Sequence, residues 1–76
     1  MTLLEAEIGS VYAIESIDLD KAVQRRMEML GMTYHAKIQV LNRKKNGSVI
    51  FKVRGSRYAI GKRFAEGIHV GGNIHE

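Results

Sequence analysis

Side chains able to do covalent or acid–base chemistry are few and scattered in this chain. Serines stand at Ser10, Ser16, Ser48 and Ser56. Ser56 lies in Arg54-Gly55-Ser56-Arg57, which lacks the strand-to-helix elbow of a Gly-x-Ser-x-Gly hydrolase. A serine in that setting serves a turn by bonding nearby backbone. Cysteine is absent, so there is no thiolate nucleophile, thiolate metal ligand or disulfide. The histidines are His35, His69 and His75, and none forms a His-x-x-x-His pair. Glu66 precedes His69 by three residues, and His75 adjoins Glu76. A zinc site needs three or four ligands in fixed geometry. Scattered histidines do not make one, so no catalytic residue, metal set or cofactor is expected. Gly61-Lys62-Arg63 precedes a short helical stretch but carries no Walker pattern for phosphate.

Charge leaves one binding chemistry open. The net charge is +4, and Lys44, Lys45, Lys52, Arg54, Arg57, Lys62 and Arg63 crowd the second half with Tyr58 among them. Small barrels bind nucleic acid through basic strands and stacked aromatics, which makes a nucleic-acid-binding barrel the alternative reading. Against it, aromatics are few, and Phe51 shares an apolar strand face with Val49 and Val53. A basic strand face also keeps sheet edges soluble, and a net charge of this size is ordinary for a small domain.

The 76 residues predict a single domain spanning 1–76 with a thin core. No apolar run reaches the ~20 residues that span a bilayer. The N-terminal residues Met1 to Glu7 lack the basic start of a signal peptide. No membrane insertion is expected, and the absence of cysteine favours a reducing, cytoplasmic location.

Several elements must position any working surface. Val11 to Ile17 reads as a strand, rich in β-branched and aromatic residues. Asp18 or Asp20 can cap a helix running to about Leu30. At 100° per residue, Leu19, Val23, Met27 and Leu30 share one side, flanked by Ala22 and Met29, with Arg26 in the same arc. Gly31 stands where a left-handed residue closes the helix, and Arg25 and Arg26 suit its negative end. Lys37 to Arg43 and Ser48 to Val53 alternate as two strands around a polar turn that ends in Asn46-Gly47. Gly55-Ser56 predicts a second tight turn, Arg57 to Ile60 a fourth strand, and Lys62 to Glu66 a helical turn. Ile68 to Val70 predicts a closing strand, and residues 71–76 a mobile tail. Gly31, Gly47 and Gly55 are the expected structural turns. Five short strands at this size predict a mostly β fold. That fold is a small SH3-like barrel closed to remove its edges, with a helix inserted after the first strand as its plug.

Five segments in this order resemble the ferrous iron transport protein A (FeoA) family, over roughly Ile8 to Val70. They are Gly9 with Ile14 and Ile17; Arg25-Arg26-Met27-Glu28-Met29-Leu30-Gly31-Met32; Ile38 to Gly47; Phe51 to Ile60, containing Val53-Arg54-Gly55-Ser56-Arg57; and Ala65-Glu66-Gly67-Ile68-His69-Val70. Two loops depart from the family pattern. Tyr34-His35 stands where the family usually has Pro-Gly, and Gly47-Ser48 where it often has Gly-Pro. The resemblance implies a non-enzymatic cytoplasmic accessory protein of FeoB-dependent ferrous iron uptake. Its implied partner is the cytosolic portion of the FeoB-type membrane transporter, with no nucleic acid expected. Adaptor, activator and assembly factor are all open, as is homo-oligomer formation. A similar domain closes some metal-dependent repressors, but this chain lacks their preceding DNA-binding and dimerisation domains.

The surface expected to meet a partner is the C-terminal end of the helix with the loop after it: Arg25, Glu28, Met29, Tyr34 and His35. Methionine and tyrosine suit an adaptable contact surface. Core and interface are equally open readings for Met29 and Tyr34, whereas Met32 reads as core. The basic hairpin Arg43 to Lys45 is the competing surface.

Overall fold

The computed structural model describes residues 1–74. A 3₁₀ turn at Leu3–Glu5 is followed by strand β1 (Val11–Ile17), helix α1 (Lys21–Met29) and strand β2 (Lys37–Arg43). Strands β3 (Val49–Val53) and β4 (Ser56–Ile60), one helical turn α2 (Lys62–Ala65) and strand β5 (Ile68–Ile74) complete the order. The strands form one antiparallel sheet in the order β4-β3-β2-β1-β5.

Alternation explains the core. Val49, Phe51 and Val53 of β3 point inward while Lys52 points out. Ile38 and Val40 of β2, Tyr12 and Ile14 of β1, and Ile68 and Val70 of β5 join them. The buried Tyr12 ring satisfies its polar end, because its hydroxyl accepts the Glu7 N–H at 2.9 Å.

The sheet corrects the expectation of a closed barrel. β4 and β5 are its two edges and do not pair with each other. The chain leaves β4 through α2, and β5 then pairs with β1. Leu3 and Ala6, at the N-terminal 3₁₀ turn, are fully buried in the core. The turn is held by Glu5, whose carboxylate accepts the Thr2 N–H at 2.8 Å and the Thr2 hydroxyl at 3.1 Å. These bonds hold the Glu5 carboxyl below its ordinary value, the backbone N–H being the larger cause.

Two further boundaries differ from expectation. Residues 71–74 belong to β5: Gly71 pairs with Ala13 and Ile74 with Val11. Backbone pairing across the sheet holds this segment despite its glycines, while His75 and Glu76 lie outside the described residues. The second hairpin turns on Arg54-Gly55, one residue earlier than Gly55-Ser56. Both turn residues have positive φ, 49° and 81°, and Val53 pairs with Ser56. This is the signature of a two-residue type I′ loop, which matches strand twist.

Of the two candidate caps, Asp20 starts α1, its Oδ1 accepting the Val23 N–H at 3.1 Å. The apolar arc of the helix is narrower than its spacing suggests. Met27 is buried, and Leu19 and Val23 are partly buried against the core. Leu30 keeps 40% of its surface exposed and Met29 keeps 81%. The chain turns at Gly31, and Met32 takes the fully buried place instead. Gly31, Gly47 and Gly55 have φ of +99°, +91° and +81°.

Candidate functional site

The end of α1 is locked in place by β3–β4. Leu30 N–H bonds Arg26 O at 3.2 Å, and Gly31 N–H bonds Glu28 O at 3.0 Å, closing the helix. Arg54 then reaches across from the β3–β4 turn. Its Nε donates to the Gly31 carbonyl at 3.1 Å, and its Nη2 donates to Thr33 Oγ1 at 3.2 Å. A Cβ on Gly31 would fall 2.4 Å from Arg54 Cδ, so glycine serves the close approach as well as the left-handed backbone. Sequence reading placed Arg54 just before the turn and missed this clamp, because its partners lie more than twenty residues away.

Beyond the clamp, the chain makes a tight turn before β2. The Ala36 N–H bonds Thr33 O at 2.9 Å, which leaves Tyr34 and His35 as the central residues. His35 has φ +70°. A type II turn asks for positive φ at this third position and favours proline before it. The Pro-Gly of the family pattern fits that geometry without strain. Here a tyrosine and a histidine occupy it, and their rings stack with centroids 3.8 Å apart. The His35 N–H bonds Ile14 O at 2.8 Å and ties the turn to β1.

The five expected contact residues are all exposed and fall into two groups. Glu28 and Tyr34 share a hollow of about 330 Å³ with Glu15, Ser16 and Gln24, floored by Ile14 and Met32. Tyr34 is 69% exposed and stacks on His35 at the rim. Arg25 and Met29 stand one turn apart on α1 and do not line this hollow.

A second hollow was not foreseen. It measures about 300 Å³ and lies between α1, β4 and α2, lined by Val23, Met27, Leu30, Tyr58, Ile60 and Phe64. Phe64 is 37% exposed and Leu30 40%. The available signal was Phe64 itself, an aromatic held between Arg63 and Ala65 on a helical turn. Leu30 hid it by reading as core. The competing basic hairpin carries Lys44 and Lys45, both exposed, whereas Arg43 turns inward and its Nη2 donates to the Ala6 carbonyl. Among the described residues no three of His, Asp and Glu come together as a metal set. No helix among them is long and apolar enough to cross a membrane.

A small open antiparallel sheet with a helix end clamped against it makes a domain of SH3-like class. The comparisons narrow this class. The FeoA domain model matches residues 1–71, and the chain belongs to the FeoA family. The solution structure of FeoA from Chlorobium tepidum is 31% identical, with a TM-score of 0.85, covering 92% of this chain and 68% of that one. A crystal structure of an iron uptake regulatory protein (FeoA) is also 31% identical, with a TM-score of 0.81 and 92% of both chains covered. The FeoA of Stenotrophomonas maltophilia, solved with zinc, is 25% identical, with a TM-score of 0.80, covering 93% of this chain and 89% of that one. It is described as a prokaryotic SH3 domain protein and a candidate ferrous iron transport activating factor. No curated protein matches the chain.

Proposed function

We propose that the chain is a non-enzymatic cytoplasmic accessory protein of ferrous iron uptake. It binds the cytosolic portion of a FeoB-type membrane transporter through the end of α1 and the loop after it. The observation that carries this reading is the exposure of Met29, Leu30 and Tyr34 along the end of α1 and the loop after it. Large apolar side chains left in water around a fixed helix end, with Arg25 and Glu28 at the rim, have the anatomy of a contact site. Membership of the FeoA family supplies the process, and relatives described as regulatory or activating supply the role. The turn at Tyr34-His35 gives this chain its own version of the surface. Deletion of the gene, with ferrous uptake measured and restored by the intact chain, tests the function. Normal ferrous uptake after deletion would end it.

A further inference from the structure

We propose that the open edge of β4, with the apolar hollow beside it, takes an extended acidic segment of a partner protein, which adds to the sheet as a further strand. The two edges of the sheet differ. β5 is partly covered, because Thr2 bridges His69 and the Val70 N–H bonds the Met1 carbonyl at 2.8 Å. Among the described residues the backbone of β4 pairs with β3 alone. Its outer N–H and C=O groups form a template for another strand. Natural edges are blunted with charge or proline. Here Arg57 is the one charge on the strand, and Tyr58-Ala59-Ile60 carries none.

The hollow between α1, β4 and α2 lies along this edge. Tyr58, Ala59, Ile60 and Gly61 all line it. Side chains alternate across a strand, so a space touched by consecutive residues follows their backbone. Across from β4 stand Leu30 and Phe64, with 40% and 37% of their surface exposed. A strand laid on the edge offers alternate side chains to this space while its main chain bonds β4. Those are the two parts of strand addition, main chain for affinity and pockets for specificity. At about 300 Å³ the hollow has the room of a side chain or two, at the small end of ligand sites.

Charge selects the segment. Arg26 is the one charged residue in the lining, and a carboxylate beside the inserted side chain pairs with it. Arg57 and Arg63 stand exposed on either side of the lining stretch of β4. Glu66 follows α2 and lies outside the lining. A second copy of this chain suits the edge less well, because it brings its own Arg57 and a net charge of +4 to the same seam. A free apolar ligand fills the hollow and leaves the strand edge unpaired. The proposal shares Leu30 with the surface assigned to the transporter and takes nothing else from that reading.

The test selects a displayed library of random peptides against the intact chain, then titrates the enriched peptide by fluorescence anisotropy. The probe contains no transporter, so its failure and the failure of the transporter reading are distinguishable. The enriched peptides should carry Asp or Glu beside a large apolar residue. Binding should slow amide exchange in residues 57–60. N-methylation of one alternate set of the peptide's amides should cost about tenfold or more, and of the other set less than about threefold. Phe64→Ala should weaken binding about tenfold and Arg26→Gln about fivefold, whereas Lys44→Gln with Lys45→Gln should change it less than about twofold. If Phe64→Ala fails to fold, the N-methyl series and the exchange of β4 amides carry the test on the unaltered chain. No enrichment, enrichment of basic peptides, or equal tolerance of both N-methyl sets would overturn the proposal. Concentration-dependent sedimentation of the chain alone, with its β4 amides already protected, would give the edge to a second copy and overturn it too.

Discussion

Replacing His35 separates the stability of the loop from its use. His35 holds φ +70° in the turn closed by Thr33 O and the Ala36 N–H. A left-handed backbone costs an ordinary L-residue about 1–2 kcal/mol. Glycine escapes that cost but loses about 0.5–1 kcal/mol to the entropy of its freer unfolded chain. His35→Gly should therefore be more stable than His35→Ala by about 0.5–1 kcal/mol. In a domain of this size the difference reads as about 2–8 °C in Tm. Both variants lose the ring that stacks on Tyr34 at 3.8 Å, so that loss cancels in the comparison. Thermal unfolding followed by circular dichroism measures the difference, and a titration of the transporter's cytosolic portion measures binding. The expected pattern is two variants that differ in Tm and share a loss of affinity. An alanine variant as stable as the glycine variant, or more so, would refute the left-handed turn. Full affinity in both would remove the His35 ring from the contact surface.

Three other perturbations have outcomes fixed by the geometry. Gly31→Ala should cost about 2–3 kcal/mol, combining left-handed strain with the loss of Arg54's hydrogen bonds, and Gly55→Ala about 1 kcal/mol, since open space surrounds Gly55. Equal losses in urea unfolding would show that Arg54 does not clamp the helix end. The Glu5 carboxyl, held below the ordinary 4.5 by Thr2, contributes stability that is full above the unfolded value and is lost as pH falls through the folded one. Glu5→Gln should therefore flatten the acid side of the stability profile, and an unchanged profile would contradict the bonding described. Anaerobic calorimetry with Fe²⁺ should show no high-affinity binding to the isolated chain. A 1:1 site of micromolar or better affinity, lost on His→Ala change at His35 or His69, would contradict that expectation.

Elements with a strong local period were legible before any coordinates. The alternation of Val49, Phe51 and Val53 placed β3 and its inward face. Asp18 or Asp20 at one end and Gly31 at the other bracketed α1, because capping and left-handed closure are local properties, and the structure selects Asp20. Three features escaped because nothing local reports them. Leu3 begins a short 3₁₀ turn and Ala6 follows its end, with no period to read. The last residues of β5 include Gly71 and Gly72, whose weak strand preference is overridden by pairing with β1. The pairing of β5 with β1 rather than β4 is a tertiary choice. For the candidate surface, the sequence named the residues and could not give their arrangement. Met29 and Tyr34 are exposed and so do not belong to the core. Spacing could not show that Glu28 and Tyr34 share a hollow with Glu15 of β1, or that Leu30 and Phe64 line another.

The central claim is that the end of α1 meets the partner, and one paired measurement tests it most directly. Two double variants are titrated against the cytosolic portion of a FeoB-type transporter after their folding is verified by thermal melting. Met29→Asp with Tyr34→Ala alters exposed side chains, 81% and 69% accessible, and leaves the core untouched. Lys44→Glu with Lys45→Glu reverses the charge of the competing hairpin. Truncating an apolar contact at an interface centre commonly costs 2 kcal/mol or more, about 30-fold in affinity. Rim charges act mainly on the association rate. The account predicts a loss of about 30-fold or more, largely in dissociation rate, for the first variant. For the second it predicts a smaller, salt-sensitive fall in association rate. Full affinity in Met29→Asp with Tyr34→Ala, alongside lost binding in the hairpin variant, would contradict it.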